Sequence, residues 1–292
     1  MLAAVRMTCS LLKLRIGVAI AASALAGMAA ANGAALSFFE VSALTLAVLG
    51  ASGAAGAFNH YYERDLDRHM QRTRSRPFAS GAFEPSLWWP VSFLGLLTAS
   101  LALAAAVNGT LAAIYVFLGA FTYGIVYTVW LKRRSVWNIV IGGLAGTFAV
   151  LAGAAAVDPS PQVYPVVLSI VLFLWTPPHF WSLAAAKGGE YAKAGIPMLP
   201  ITAPERAWTL AILGHTIALV AISLVPLWYG KGVLYGLGAG IGGGYFLWKS
   251  FQLYLAPSKQ TAIGNFLASL LQLALLIVGV VLDALPLERL WG

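Results

Sequence analysis

Runs of apolar residues long enough to cross a bilayer recur along the whole chain. A spanning helix needs about 20 predominantly apolar residues, and nine such runs lie near 14–32, 37–58, 86–106, 111–131, 136–156, 163–183, 207–227, 232–252 and 262–284. Soluble domains are about half apolar and about a quarter charged. Here 60% of the 292 residues are hydrophobic, 10% are charged, and mean hydropathy is +0.82. The expected fold is therefore all-α, a polytopic membrane protein in which residues 1–292 form one transmembrane domain. Glycine-rich stretches such as GGLAG (142–146) and GAGIGGG (238–244) read as places where helices approach closely. None has the strand context of a phosphate-cradling loop. The single cysteine, Cys9, excludes a disulfide within the chain and a cysteine-based zinc site. The apolar stretch after Arg6 is read as a retained helix rather than a removed signal.

The net charge of +8 belongs to membrane ends and anionic headgroups, not to nucleic acid. Put the N-terminus inside. Then Arg6, Lys13, Arg15, the five arginines of 59–85, Lys132–Arg134, Lys187, Lys193, Arg206, Lys249 and Lys259 all lie inside, 16 of the 18 basic residues. Only Lys231 and Arg289 lie outside. The positive-inside rule thus predicts an integral cell or inner membrane protein with its N-terminus and longer loops cytoplasmic and its C-terminus on the opposite side.

Charge collects after the second run, in NHYYERDLDRHMQRTRSRP (59–77). On a helix over 59–74, Asn59, Glu63 and Asp67 recur every four residues and form one stripe, drifting about 40° per step. Arg64, Arg68 and Arg72 form a second stripe about 100° around the axis. Pro77 ends the helix at or before Arg76. Like charges at i,i+4 destabilise a helix, so stacked signs imply a third party that supplies the countercharge. Two carboxylates and an amide oxygen suit Mg²⁺, which takes oxygen ligands and shares its shell with substrate phosphate. Arginine forks grip phosphate directly. A solvated juxtamembrane helix, with Asp65 paired to Arg68, would explain the arginines but not the acidic stripe.

The sixth run ends in WTPPHFWSLAAAKGGEYAKAGIPMLP (175–200). Pro177 and Pro178 are expected to bend or break that helix, and such breaks usually line a cavity. His179 is an ionisable residue at membrane depth and so a functional candidate, against the plainer reading of one satisfied histidine in an aromatic belt. Glu190, on the same side as the first charged loop, is placed to face Glu63 and Asp67 across a shared cavity. In YTVWLKRRSVWN (127–138), Lys132, Arg133 and Arg134 read as plain topology signals, or else Lys132 and Arg133 stabilise an anionic leaving group.

These residues resemble a known family. NHYYERDLDRHMQRTRSRP is similar to the N-x-x-x-D-x-x-x-D element of the UbiA superfamily of intramembrane prenyltransferases. RTRSRP, LKRRSVWNIVIGG, TPPHFW and YAKAGIPMLP look like the branch that farnesylates haem. The resemblance runs in order from about Leu12 to Thr202; beyond that only hydropathy matches. It implies nine helices around a central cavity. It implies transfer of farnesyl from farnesyl diphosphate to the 2-vinyl group of haem b, with water added, giving haem O and diphosphate. Haem b is then a substrate rather than a cofactor, and the divalent metal is Mg²⁺. By the same resemblance Asn59, Glu63 and Asp67 fall on the first metal–diphosphate motif and Arg72 and Arg76 on the arginines after it. Lys132 and Arg133 fall on the basic loop motif, and His179 on the histidine of the Pro-Pro-His motif. Two residues depart from the pattern. Glu63 stands where the family usually has Asp, and KGGEY keeps Glu190 alone of an acidic pair, with Lys187 available to neutralise diphosphate. Suppliers of haem and a downstream haem-modifying enzyme are the partners such a reaction implies. The alternatives are an aromatic quinone precursor as acceptor, or a transporter, which would place its ionisable residues at mid-membrane depth.

Overall fold

A computed structural model describes the backbone of residues 2–285 and the side chains of residues 7–285. The side chain of Arg6 and all of Arg289, both used in the orientation argument, lie outside the described residues. Among those residues there is no strand. The helices are α1 (Leu2–Leu11), α2 (Leu14–Ala30), α3 (Phe38–Tyr62), α4 (Arg64–Asp67), α5 (Trp88–Asn108) and α6 (Thr110–Phe121), which continues as a π-wound segment (Thr122–Leu131). They continue with α7 (Asn138–Gly142), α8 (Leu144–Val157), α9 (Val163–Ala186), α10 (Gly188–Lys193), α11 (Leu199–Thr202), α12 (Glu205–Leu224), α13 (Val233–Leu255) and α14 (Lys259–Ala284).

Every expected span is helical. Among the described residues, seven helical segments, counting α6 with its π-wound continuation and α7 with α8 as one each, are long and apolar enough to cross a membrane. The other two are α2, at 17 residues, and α13, whose 23 residues include six glycines and Lys249. The bundle is apolar outside and holds its polar groups inside. Ile217, Ile241, Leu267 and Val278 are exposed, whereas Ser250, Asn265, Ser269 and Gln272 are fully buried. That inversion is what lipid as solvent selects.

The long helices pack as a closed ring in the order α2, α3, α5, α6, α8, α9, α12, α13 and α14, with α14 returning to α2. Capping boxes start two of them, Ser37 with Glu40 at α3 and Ser258 with Thr261 at α14. Glycine sets the closest crossing, between α2 and α8. A Cβ on Gly27 would lie 2.0 Å from the Val150 carbonyl oxygen, and one on Gly153 would lie 1.8 Å from that of Ala24. Gly238 makes a similar approach to α14, 2.4 Å from the Leu275 carbonyl oxygen. The packing role read for the glycine-rich stretches is the one observed.

The break expected in the sixth run does not occur. Helix α9 runs unbroken through Pro177 and Pro178. Both prolines are buried between neighbouring helices, and tertiary packing of this kind tolerates proline inside a membrane helix. Ser182 Oγ donates to the Pro178 carbonyl oxygen at 2.6 Å. The same hydroxyl accepts from Asn265 Nδ2, whose Oδ1 accepts from Ser250 Oγ, which lies 3.0 Å from Thr216 Oγ1. This buried chain stitches α9, α14, α13 and α12 together.

Candidate active site

Helix α3 carries Asn59 and ends at Tyr62. Glu63 follows with φ −93 and ψ 8, α4 covers four residues, and turns occupy 69–80. The helix expected over 59–74 is therefore interrupted at Glu63 and spent by Asp67. The acidic stripe survives the interruption because the i→i+4 ladder does. Glu63 N–H donates to the Asn59 carbonyl at 3.0 Å and Asp67 N–H to that of Glu63 at 2.8 Å. All three side chains are buried, none more than 3% exposed.

The arginine stripe does not form, since it needed helix beyond Asp67. Arg64 turns back to donate to the Tyr61 carbonyl at 2.8 Å and lies over the Tyr61 ring. Arg68 is exposed, donating to the Ala79 carbonyl at 3.2 Å and pairing with Asp65 at 3.7 Å. Arg72 is exposed in the turns. Arg76 alone reaches the acids. Its Nη1 lies 2.9 Å from Asp67 Oδ1 and 2.8 Å from Oδ2.

Each oxygen donor in the stripe carries its own cation. Arg76 holds Asp67. Lys132 Nζ donates to Glu63 Oε2. Lys13 Nζ donates to Asn59 Oδ1 at 2.5 Å and to the Tyr123 hydroxyl at 2.7 Å. Asn59 Nδ2 donates to Thr128 Oγ1 at 3.1 Å, which in turn donates to the Tyr123 carbonyl. Burial drives the Lys13 pKa well below the ordinary lysine value. Arg76 and Lys132 push it the same way, against the opposing pull of Glu63 and Asp67.

Sequence reading missed Lys13, Tyr123, Tyr127 and Thr128. Their alignment comes from the π winding of Thr122–Leu131, where Lys132 N–H donates to the Tyr127 carbonyl five residues back. Residues five apart, Tyr123 with Thr128 and Tyr127 with Lys132, then share a face, and π segments of this kind concentrate at functional sites. Apolar periodicity gives no sign of that winding. Lys13 carried a positive charge next to a span and was counted only for topology.

The two charged loops do pack on one another. Met70 of the first joins Tyr191, Ala194, Ile196 and Met198 of the second in one buried cluster, with Leu66 and Tyr127 against it. Glu190, however, does not join Glu63 and Asp67. Its Oε1 lies 3.7 Å from Nζ of Lys187, the residue just ahead of α10. Among the described residues no three His, Cys, Asp or Glu side chains converge as a metal site. Lys187 and Arg133 are exposed, so neither is part of the buried cluster.

The donor set still fits a hard divalent cation. Asn59, Glu63 and Asp67 offer only oxygen, the chemistry of Mg²⁺ sites. Glu63 Oε1 and Glu190 Oε2 are buried with no hydrogen-bond partner, a state that costs stability unless a cation or donor arrives.

An apolar cavity of about 70 Å³ adjoins this cluster between α2, α3, α6 and α8. Lys13 and Tyr123 form its polar end, and Ile20, Val48, Ala51, Tyr115 and Ala149 line its walls. His179 sits elsewhere in the ring, on α9. Its ring is held between Trp175 and Phe266 at centroid distances of 4.2 and 4.5 Å. Nδ1 lies 2.7 Å from Ser269 Oγ, which leaves Nε2 as the free nitrogen.

Comparison with known proteins gives this arrangement its relatives. The chain is 56% identical over 286 residues to protoheme IX farnesyltransferase 2 of Paramagnetospirillum magneticum, covering 98% of this chain and 99% of that one. Its fold is similar to digeranylgeranylglyceryl phosphate synthase, with a TM-score of 0.77 at 16% identity over 96% of this chain and 98% of the other. It is also similar to a UbiA homolog from Archaeoglobus fulgidus bound to GPP and Mg²⁺, with a TM-score of 0.68 at 15% identity over 94% and 99% of the two chains. The model of the UbiA prenyltransferase family matches residues 20–280. On that match and that identity, this integral membrane protein belongs to the UbiA prenyltransferase family.

Proposed function

We propose that the chain transfers the farnesyl group of farnesyl diphosphate to the 2-vinyl group of protohaem IX, with addition of water, giving haem O and diphosphate. The observation that carries this is the buried row Asn59, Glu63 and Asp67, each with a basic partner, one of which, Lys13, also lines an apolar cavity. The high identity to a protoheme IX farnesyltransferase over nearly the whole chain supports haem as acceptor.

Asn59, Glu63 and Asp67 would hold Mg²⁺, with Glu190, whose Oε2 has no hydrogen-bond partner, a further oxygen donor. Bound there, the metal would supply positive charge to a departing diphosphate. Lys132 and Arg76, released from their carboxylates by that charge, are placed to donate to diphosphate oxygens. As the C1–O bond breaks, its electron pair leaves with the diphosphate, and fixed cations in a dry site stabilise it best. Arg72, Arg133 and Lys187, exposed at the rim, draw the anion in. The apolar walls beside Lys13 meet the isoprenoid chain, which is longer than that cavity and extends beyond it, and they keep water from the allylic cation. The terminal vinyl carbon attacks that cation. Water then adds at the carbon next to the porphyrin and releases a proton. His179, with Nε2 free, faces the acceptor and orients haem, as an iron ligand or a hydrogen-bond partner.

The site end of the bundle is the cytoplasmic one on the positive-inside argument, and residues 1–292 act as one domain. The test is a membrane assay with farnesyl diphosphate, haem b and Mg²⁺, reading pigment by chromatography. Haem O is expected from the wild type and not from Asp67→Asn. Wild-type activity that survives in Asp67→Asn would overturn the assignment of the acidic row, and farnesylation of a quinone precursor in place of haem would overturn the acceptor.

A further inference from the structure

Lys13 stands in the left-handed backbone region, with φ 49 and ψ 43, just ahead of α2. It is the one non-glycine residue of positive φ among the described residues. A residue with a Cβ keeps that conformation only where its surroundings hold it. Here the side-chain tip does the holding, through Asn59 Oδ1 at 2.5 Å and the Tyr123 hydroxyl at 2.7 Å. The methylenes lie along Gly56, where a Cβ would come within 3.4 Å of them. The same side chain walls the polar end of the apolar cavity, with Tyr123 beside it. One ammonium thus covers a proposed metal ligand and stands at the mouth of the proposed isoprenoid channel.

We propose that Lys13 is a further diphosphate-binding residue. It rests on Asn59 while no metal is bound, and it donates to the diphosphate once Asn59 Oδ1 turns to the metal. This rests on the prenyl diphosphate reading above. An ammonium has three donors on a flexible stem. The Tyr123 hydroxyl can keep one while the others swing from an amide oxygen to phosphate oxygens. Two cations repel on one amide oxygen, so metal alone competes with Lys13. Diphosphate removes the competition because it gives the ammonium a better acceptor. Lys13 therefore opposes the metal by itself and favours the metal with its diphosphate. A lysine that only braced α2 against α3 would do neither.

The test uses purified full-length protein in detergent, titrated calorimetrically with Mg²⁺ alone and then with farnesyl S-thiolodiphosphate in the presence of Mg²⁺. Lys13→Met is expected to bind Mg²⁺ alone about threefold or more tightly, and the thiolodiphosphate about tenfold more weakly, the size of one lost charge-assisted hydrogen bond. Lys13→Arg should recover most of the thiolodiphosphate affinity. Equal affinities in Lys13→Met and wild type, or a loss of both together, would overturn the proposal. Acetylation of the wild type followed by mass spectrometry gives a measurement that needs no variant. Lys13 labelling should rise with Mg²⁺ alone and fall below the metal-free level when the thiolodiphosphate is added; equal labelling in all three states overturns the proposal. A wild type that binds no thiolodiphosphate overturns the prenyl diphosphate reading and this proposal with it. Binding with unchanged Lys13 behaviour overturns this proposal alone.

Discussion

A single guanidinium nitrogen of Arg76 bridges both carboxylate oxygens of Asp67, at 2.9 and 2.8 Å. Nine residues separate the two in sequence, and the turns between them bring the last arginine of RTRSRP back over the acidic row. Asp67 is 2% exposed and Arg76 17%, so the pair is shielded from water.

Removing one partner from a buried pair leaves an uncompensated charge. Arg76→Ala is expected to cost about 3–5 kcal/mol of stability and to reduce haem O formation at least about a hundredfold, the scale of losing one transition-state donor. Asp67→Asn with Arg76→Ala should regain most of the stability and none of the activity. Thermal melts in detergent beside the pigment assay separate the two effects. A double variant as unstable as Arg76→Ala would show that the ion pair is not the cause.

Glu63 and Lys132 make the neighbouring pair. Glu63→Asp keeps the charge with a shorter reach, and activity within about tenfold of wild type is expected. Glu63→Gln removes the charge and should lose about a hundredfold or more, with a raised Mg²⁺ requirement. A Mg²⁺ dependence identical to wild type in Glu63→Gln would remove Glu63 from the metal site.

Arg72 and Arg133 are exposed, and exposed charge acts on encounter rather than on the bound state. Alanine at either position is expected to lower kcat/KM by about threefold to tenfold at low salt, on the steering argument. It should leave kcat nearly unchanged and flatten the salt dependence. A fall in kcat equal to that of Arg76→Ala would mean that these residues touch the reacting diphosphate.

His179 presents Nε2 while Ser269 and two aromatic rings fix its plane. His179→Ala should weaken haem binding in an absorbance titration by about tenfold, the value of one directed bond, and leave thiolodiphosphate binding unaltered. Ser269→Ala should do less, because it frees the ring without removing it. Unaltered haem affinity in His179→Ala would exclude contact with the acceptor.

At the α2–α8 crossing, Gly153→Ala would drive a methyl group onto the Ala24 carbonyl. Overpacking of this kind costs about 1–3 kcal/mol, and more where backbone must move. A clear fall in melting temperature is expected. An unaltered melt would mean that the two backbones do not meet at Gly153.

Much of this protein is written locally. Spans are set by run length against bilayer thickness, and all nine are helical in the structure. The acidic row is set by spacing of four, and it persists across the break at Glu63 because hydrogen bonding at i→i+4 needs no long helix. What spacing could not supply was anything that depends on two segments meeting. It extended the helix through Arg72 and built a second stripe there, but no packing supports a helix past Asp67. It allowed a break in α9 at Pro177, but neighbouring helices carry that helix through. It turned Glu190 toward Asp67, but the acid pairs with Lys187, three residues back. Above all it read Lys13 as a topology charge, since 46 residues separate Lys13 from Asn59 and 110 separate it from Tyr123. Local sequence determines which residues are helical and which donors share a face. Only the closed ring decides which cation each donor meets, because charge pairing falls off over a few ångströms and is blind to distance along the chain.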